Sequence, residues 1–436
     1  MKTCLLALTM FFIGSHSLAS SGQNYFFCDS GSDKHNGKSE LAPFKSVEKL
    51  FEVFKWMDAG DSILLCRGGK FEYSHSKKLY NYRCTADKPC TITDYGDKNA
   101  PRPELHYSGT HSGLWFSDAP KFRADGGYNI SNIKLTSEQQ EGYAIFIADE
   151  VNDFHVDNVH VEGFGIGFHS AGSGPNPFTN RMHDRVSLTN SIIINNSAQG
   201  FLGACNDCLI ENNVFENNGY ARAIFNHNIY VGFPSSKRYK NMTIRNNKLY
   251  QSAMFGDECA GTSLVAHGNI DNLIIEDNLL KEDKHAVQGH CYGISIAQGY
   301  GDKVDESFHN VIIRRNRLIN LGAVGIGCAS CNSAIITENV IIDESGVMTR
   351  GIAVPERAEE SIKSNNILIA KNKIYMVNST GAAISLGGQH VFKVTDNVIR
   401  VPDAKVLENC FKLAGANANN DMSSNECLSH DSKVNW

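Results

Sequence analysis

One phrase recurs down this chain: a short apolar run, one or two polar residues, an Asn, then a second short apolar run. It reads Leu209-Ile210-Glu211-Asn212-Asn213-Val214-Phe215 and then Thr243-Ile244-Arg245-Asn246-Asn247-Lys248-Leu249. It returns around Asn278, Asn316, Asn339, Asn372 and Asn397, at spacings of 34, 31, 38, 23, 33 and 25 residues from Asn213 onward. Looser copies fall at Asn132, Asn158 and Asn190. A unit of this length cannot bury a core alone, so a repeat of roughly 20–50 residues means units stacked on one another.

Alternation within each phrase sends one residue inward and the next outward, as a strand requires. A Leu lattice is missing, and propeller blades would need longer and more regular repeats. What remains is an all-β, single-stranded parallel β-helix of about ten coils. Asn at the bend between two strands can adopt the left-handed conformation and bond its own backbone. Stacked coil on coil, these Asn side chains should form a ladder. A third strand per coil reads Asn228-Ile229-Tyr230-Val231-Gly232, Gly293-Ile294-Ser295-Ile296-Ala297, Gly325-Ile326-Gly327-Cys328 and Gly351-Ile352-Ala353-Val354. Its Ile-type residue points in, and the outward residues are mostly Gly, Ala or Ser. Such a strip lets an extended chain lie close.

The 436 residues are 42 % hydrophobic and 20 % charged, a globular composition. Lys2, the apolar run Cys4 to Ile13 and Ser17-Leu18-Ala19 have the form of a secretory signal peptide at 1–19. That run is too short to span a bilayer, and no later segment does so. A secreted or periplasmic chain follows, a monomer with a net charge near −7 once Lys2 is gone (40 basic against 47 acidic residues). Nucleic acid is excluded as a partner by that balance. An extended anionic polysaccharide is expected instead, held by a local basic cluster. Twelve Cys remain, an even number suited to disulfides. The pairing expected is Cys205/Cys208, Cys328/Cys331, Cys84/Cys90, Cys259/Cys291 and Cys410/Cys427, which leaves Cys28/Cys66.

Phe44, Val47, Leu50, Phe51 and Phe54 fall at helical spacing. A helix there would plug the open end of the solenoid. Tyr25-Phe26-Phe27-Cys28-Asp29-Ser30-Gly31-Ser32-Asp33, Pro43-Phe44-Lys45-Ser46-Val47 and Gly60-Asp61-Ser62-Ile63-Leu64-Leu65 resemble the leader of secreted right-handed parallel β-helix proteins, and 85–96 resembles its next element. That superfamily consists mostly of polysaccharide lyases, epimerases and polygalacturonase-like glycosidases, so the resemblance implies carbohydrate chemistry. The domains expected are an N-terminal cap with the first coils at 20–127, the β-helix at 128–415 and a tail at 416–436.

Bulky polar residues stand out against the small strip. Tyr230 and His267 sit on consecutive coils, with His227 and Arg222 beside Tyr230 and Lys237 and Arg238 beyond it. His169 is expected to hold the His267 position three coils earlier, and Tyr292 to touch substrate. Singly, each has an ordinary reading as a strand-edge or loop residue. Together they suit β-elimination from a uronic-acid polymer, which needs a cation at the carboxylate, a base for the C5 proton and an acid for the leaving oxygen. Arg222 (or Lys237, Arg238) would be the cation, His227 or His267 the base and Tyr230 the acid. No cofactor is required, although Ca²⁺ replaces the cation in similar lyases, with Asp257 and Glu258 as its candidate ligands. The rival is hydrolysis between two carboxylic acids. Gly256-Asp257-Glu258-Cys259 and Gly289-His290-Cys291-Tyr292-Gly293-Ile294-Ser295-Ile296 are similar to polygalacturonase motifs, which would make Asp257, Glu258 and His290 the acid/base set. The Asn-Thr-Asp and Arg-Ile-Lys motifs of that group are replaced here by Asn226-His227-Asn228 and Gly325-Ile326-Gly327. A third class is a non-catalytic carbohydrate-binding or adhesive β-helix.

Overall fold

The computed structural model describes residues 22–118, 125–172, 181–234, 237–301, 305–356, 362–378, 381–388, 391–414 and 421–430. The expected signal peptide lies outside the described residues. Three long sheets of 13, 12 and 13 strands stack parallel strands coil upon coil, in the order of a parallel β-helix. Among the described residues the only antiparallel pair is the small hairpin Met254–Phe255 with Glu258–Cys259. The stack exceeds the ten coils expected. Asn24–Phe27, Ser62–Cys66 and Cys90–Tyr95 already pair in the first sheet although they lack the Asn phrase, and Glu426–Ser429 adds a last strand to the third.

The second sheet carries the strip read from the sequence. Ile229, Leu264, Ile294, Ile326, Ile352 and Ile384 form one inward row, each fully buried. The outward row beside it runs His169, Leu202, Tyr230, Val265, Ser295, Gly327, Ala353 and Ser385. His169 therefore stands in the Tyr230 row, two coils earlier, and not in the His267 position three coils earlier. The inward residue level with Phe201 and Ile229 is Phe168, two residues beyond Ile166, and His169 moves with it.

The Asn ladder is present. Asn213, Asn247, Asn278, Asn316, Asn339, Asn372 and Asn397 are buried, and each accepts from the backbone N–H and Nδ2 of the ladder residue before it, where that residue is Asn. Asn425 ends the series. One detail differs from expectation: the left-handed residue is the one preceding each ladder Asn, such as Asn246, Arg315, Glu338 and Lys371. The ladder Asn is thus free of the bend and spends its amide on the next coil. Asn132, Asn158 and Asn190 occupy that left-handed position themselves, with φ of 59°, 52° and 52°, so the looser copies are bend residues outside the buried ladder.

Helix Val47–Trp56 covers the N-terminal end. Ser46 caps it by accepting from the Lys49 N–H at 3.1 Å, and Val47, Leu50, Phe51, Val53 and Phe54 are buried. Phe54 packs against Phe116 and Tyr128 with ring centroids 5.5 and 5.0 Å away. All six expected disulfides are present: Cys28–Cys66, Cys84–Cys90, Cys205–Cys208, Cys259–Cys291, Cys328–Cys331 and Cys410–Cys427. Such a set belongs to an oxidising compartment. No helix among the described residues is long and apolar enough to cross a membrane.

Candidate functional site

Tyr230 is the central residue of the short strand Ile229–Val231, whose flanking Ile229 and Val231 are buried. The strand lifts its phenol out of the sheet, half-buried among three other rings. The His227 ring stacks at 5.6 Å, the His267 ring meets it edge-on at 5.3 Å, and Tyr230 Oη donates to Tyr300 Oη at 3.1 Å. His267 and Tyr300 are themselves 5.9 Å apart. Burial raises the pKa of both phenols, so each keeps its proton at neutral pH.

Both imidazoles are held in one tautomer. His227 Nδ1 lies 2.9 Å from the Thr262 carbonyl and His267 Nδ1 lies 2.6 Å from the Ala297 carbonyl. A carbonyl only accepts, so Nδ1 carries the proton and Nε2 the lone pair when the ring is neutral. Burial pushes His227 down to about 4, which keeps it neutral. His227 is 4 % exposed, however, and its ring is stacked against Tyr230 in the interior, not on the open face of the strip. His267 is the more accessible of the two.

The loop that brings Tyr300 in is locked from below. Glu306 is fully buried and accepts from the backbone N–H groups of Gly268 at 2.5 Å, Gly299 at 2.7 Å and Tyr300 at 2.6 Å. Gly299 is required where the loop crosses His267, because a Cβ there would lie 2.6 Å from the imidazole. A second buried carboxylate, Glu282, accepts from the Ser252 N–H at 2.9 Å, and Ser252 Oγ donates to the same Thr262 carbonyl that takes His227. Burial raises Glu282 to about 8. Sequence reading missed Tyr300 and Glu306. The signal available was Gln298-Gly299-Tyr300-Gly301 following the strip strand Ile294–Ile296, a bulky aromatic set between two glycines.

The remaining candidates are spread around this cluster. Arg222 is exposed on the turn before the strip, its guanidinium 4.7 Å over the Phe225 ring. That turn meets the hairpin 254–259, on which Asp257 and Glu258 are exposed side by side. His290 is exposed near Tyr292, at 6.3 Å. Lys237 is exposed. Arg238 turns away from the cluster and bonds Asp271 at 3.1 Å and Ser307 Oγ at 2.7 Å. The His169 ring packs at a tilt against Tyr143 and Phe146, 5.0 and 5.2 Å away, and burial lowers it to about 4. Cys259, Glu282 and Cys291 group closely, but both sulfurs belong to a disulfide and cannot serve as thiolate ligands. Beyond Val265 the outward row opens into a cavity of about 140 Å³ over Ser295, Gly327 and Ala353, lined also by Tyr292 and Arg350.

No known family profile matches the chain. A 146-residue stretch is 35 % identical to a lacto-N-biosidase of Bifidobacterium longum, covering 28 % of this chain and 9 % of that protein. The chain thus corresponds to a small part of that relative's length. Among solved structures, the lacto-N-biosidase of Eubacterium ramulus (GH136) aligns over 93 % of this chain and 68 % of its own, at 13 % identity and a TM-score of 0.57. The catalytic unit of the GH87 α-1,3-glucanase of Streptomyces thermodiastaticus covers 84 % of this chain and 64 % of its own, at 11 % and 0.53. XylC in complex with xylose covers 94 % and 86 %, at 7 % and 0.55. What these structures share with the chain is the parallel β-helix.

Proposed function

We propose that this chain is a secreted polysaccharide-active enzyme that cleaves a uronic-acid-containing polysaccharide by β-elimination. The observation carrying this reading is the contact of Tyr230 with His267 and Tyr300, beside an outward row that becomes small from Ser295 onward. Substrate lies along the row with its scissile bond over Tyr230. His267 Nε2 removes the C5 proton; the electron pair forms the C4–C5 double bond as the C4–O bond breaks. Tyr230 gives its proton to the leaving oxygen, and Tyr300, hydrogen-bonded to Tyr230 Oη, relays its replacement. Arg222 on the rim neutralises the substrate carboxylate as charge develops. His227 acts as a positioning residue, since its burial keeps it from substrate and its ring supports the Tyr230 face. A Ca²⁺ at Asp257 and Glu258 would need further oxygen ligands, and no third acidic or His group joins them among the described residues.

A second reading is glycoside hydrolysis, favoured by the stretch 35 % identical to a lacto-N-biosidase. Asp257 and Glu258, with His290 nearby, are its acid/base candidates. One assay separates the two. Purified protein is incubated with polygalacturonate, alginate and p-nitrophenyl β-lacto-N-bioside. Ultraviolet-absorbing unsaturated ends from either uronate support elimination. Nitrophenol release, or new reducing ends without that absorbance, supports hydrolysis and overturns the first reading. Binding without any product supports the carbohydrate-binding class.

A further inference from the structure

The cavity over Ser295, Gly327 and Ala353 has no structural reason to be empty. Gly327 does not adopt a positive φ, and a Cβ added there would meet nothing closer than 3.7 Å. The neighbouring Gly325 differs: its Cβ would come within 2.7 Å of the Gly351 carbonyl, so the fold itself demands it. A side chain at Gly327 would begin in ordinary van der Waals contact and extend into the cavity. Arg350 stands at one side, exposed on strand Arg350–Val354, with no ion pair among the described residues. Tyr292, half-exposed, stands on the same flank two coils earlier, level with Val324 in the coil between. The floor lies in register with Tyr230, three coils along the same outward row. At a coil rise of ~4.8 Å that is about 14 Å, the reach of a few sugar residues in an extended chain.

We propose that this cavity is a binding subsite for an anionic sugar residue of the polymer, with Arg350 pairing its carboxylate and the Tyr292 ring packing against its pyranose. This rests on the reading of the Tyr230 row as a polysaccharide track, and it adds the group that selects charged over neutral chains. A guanidinium suits a planar oxyanion because its paired N–H donors match both oxygens. A concave site of small and apolar lining with one convergent charge is the usual form of a ligand pocket.

The test measures binding separately from turnover. Oligogalacturonides of two to six units, sulfated galactan oligomers and neutral xylo-oligosaccharides are titrated by calorimetry into the Tyr230→Phe protein. A long acidic oligomer should bind at least tenfold more weakly after Arg350→Ala, with partial recovery in Arg350→Lys. Gly327→Leu, which extends into the cavity, should weaken it similarly without lowering Tm. Two-unit oligomers should be indifferent to all three changes if they occupy only the Tyr230 end. Dependence on Arg350 with galacturonides assigns a carboxylate; dependence with the sulfated oligomers alone overturns the uronate assignment. Unchanged binding in Arg350→Ala and Gly327→Leu, equal losses for neutral chains, or no binding by any probe overturns the subsite. Failure of the elimination reading would appear elsewhere, as cleavage retained by Tyr230→Phe.

Discussion

In the proposed elimination Tyr230 gives up its proton once per turnover and must be refilled, and it touches two groups suited to that, His267 and Tyr300. Tyr230→Phe keeps the ring contacts and removes only the hydroxyl with its bond to Tyr300, so kcat should fall by about two to four orders of magnitude. Tm should hold within a degree or two, since an outward strand position carries little core packing. Tyr300→Phe should cost less in kcat, because solvent can still refill Tyr230. Initial rates on the substrate found in the screen, with thermal melts of each variant, check both. Glu282 and His227 make opposite demands on pH. Burial holds Glu282 protonated up to about 8 from an ordinary 4.5, so its contribution to stability is full below pH 4.5 and is lost as pH rises through 8. His227, lowered from 6.5 to about 4, contributes fully above 6.5 and its share is lost as pH falls through 4. Glu282→Gln should therefore flatten the alkaline decline and leave the acid one intact, which melts between about pH 5 and 9 would resolve.

At the scale of the coil, the buried ladder is where a single amide matters most. Asn278 accepts from the N–H and Nδ2 of Asn247 and donates to Asn316 Oδ1 and the Ile244 carbonyl. Asn278→Ala leaves those buried groups without partners and should cost about 2–4 kcal/mol. The exposed Asn241, bonded to Asp207 and Asn272, has a left-handed φ of 58°, and its replacement by Gly, which tolerates that conformation, should change stability by no more than about 0.5 kcal/mol. Urea titrations of the two variants make the comparison. The ladder was legible in the sequence because a buried polar side chain must recur at every coil to be satisfied. The left-handed residue before it was not, since Arg315, Glu338 and Lys371 carry no local preference for that conformation and adopt it under the stack's constraint. The site divides the same way. Tyr230 and His267 were visible as bulky residues on a small strip. Tyr300 and Glu306 come together through a loop closure, and strand periodicity says nothing about where a loop folds back.

For the molecule as a whole, contacts between neighbouring coils dominate, so damage should stay local except at the plug. Phe54 is fully buried against Phe116 and Tyr128, and Phe54→Ala should cost about 3–5 kcal/mol. Hydrogen exchange should then show protection lost in the first coils and kept around Ile326, whereas Ile326→Ala should show the reverse pattern. Uniform loss along the stack in both variants would mean that the coils unfold as one unit.

The placement of the capping helix gives the chain a direction in time. Residues 47–56 leave the ribosome or the export channel before any coil of the Asn series, and Cys28–Cys66 and Cys84–Cys90 can close around them early. Each later stretch of about 31 residues then meets a finished strand edge on the coil before it and needs only to lay down one more turn. Growth of this kind is templated and vectorial, like a zip drawn from its stop: the exposed edge is always the newest, and no coil waits for a partner that has yet to be made.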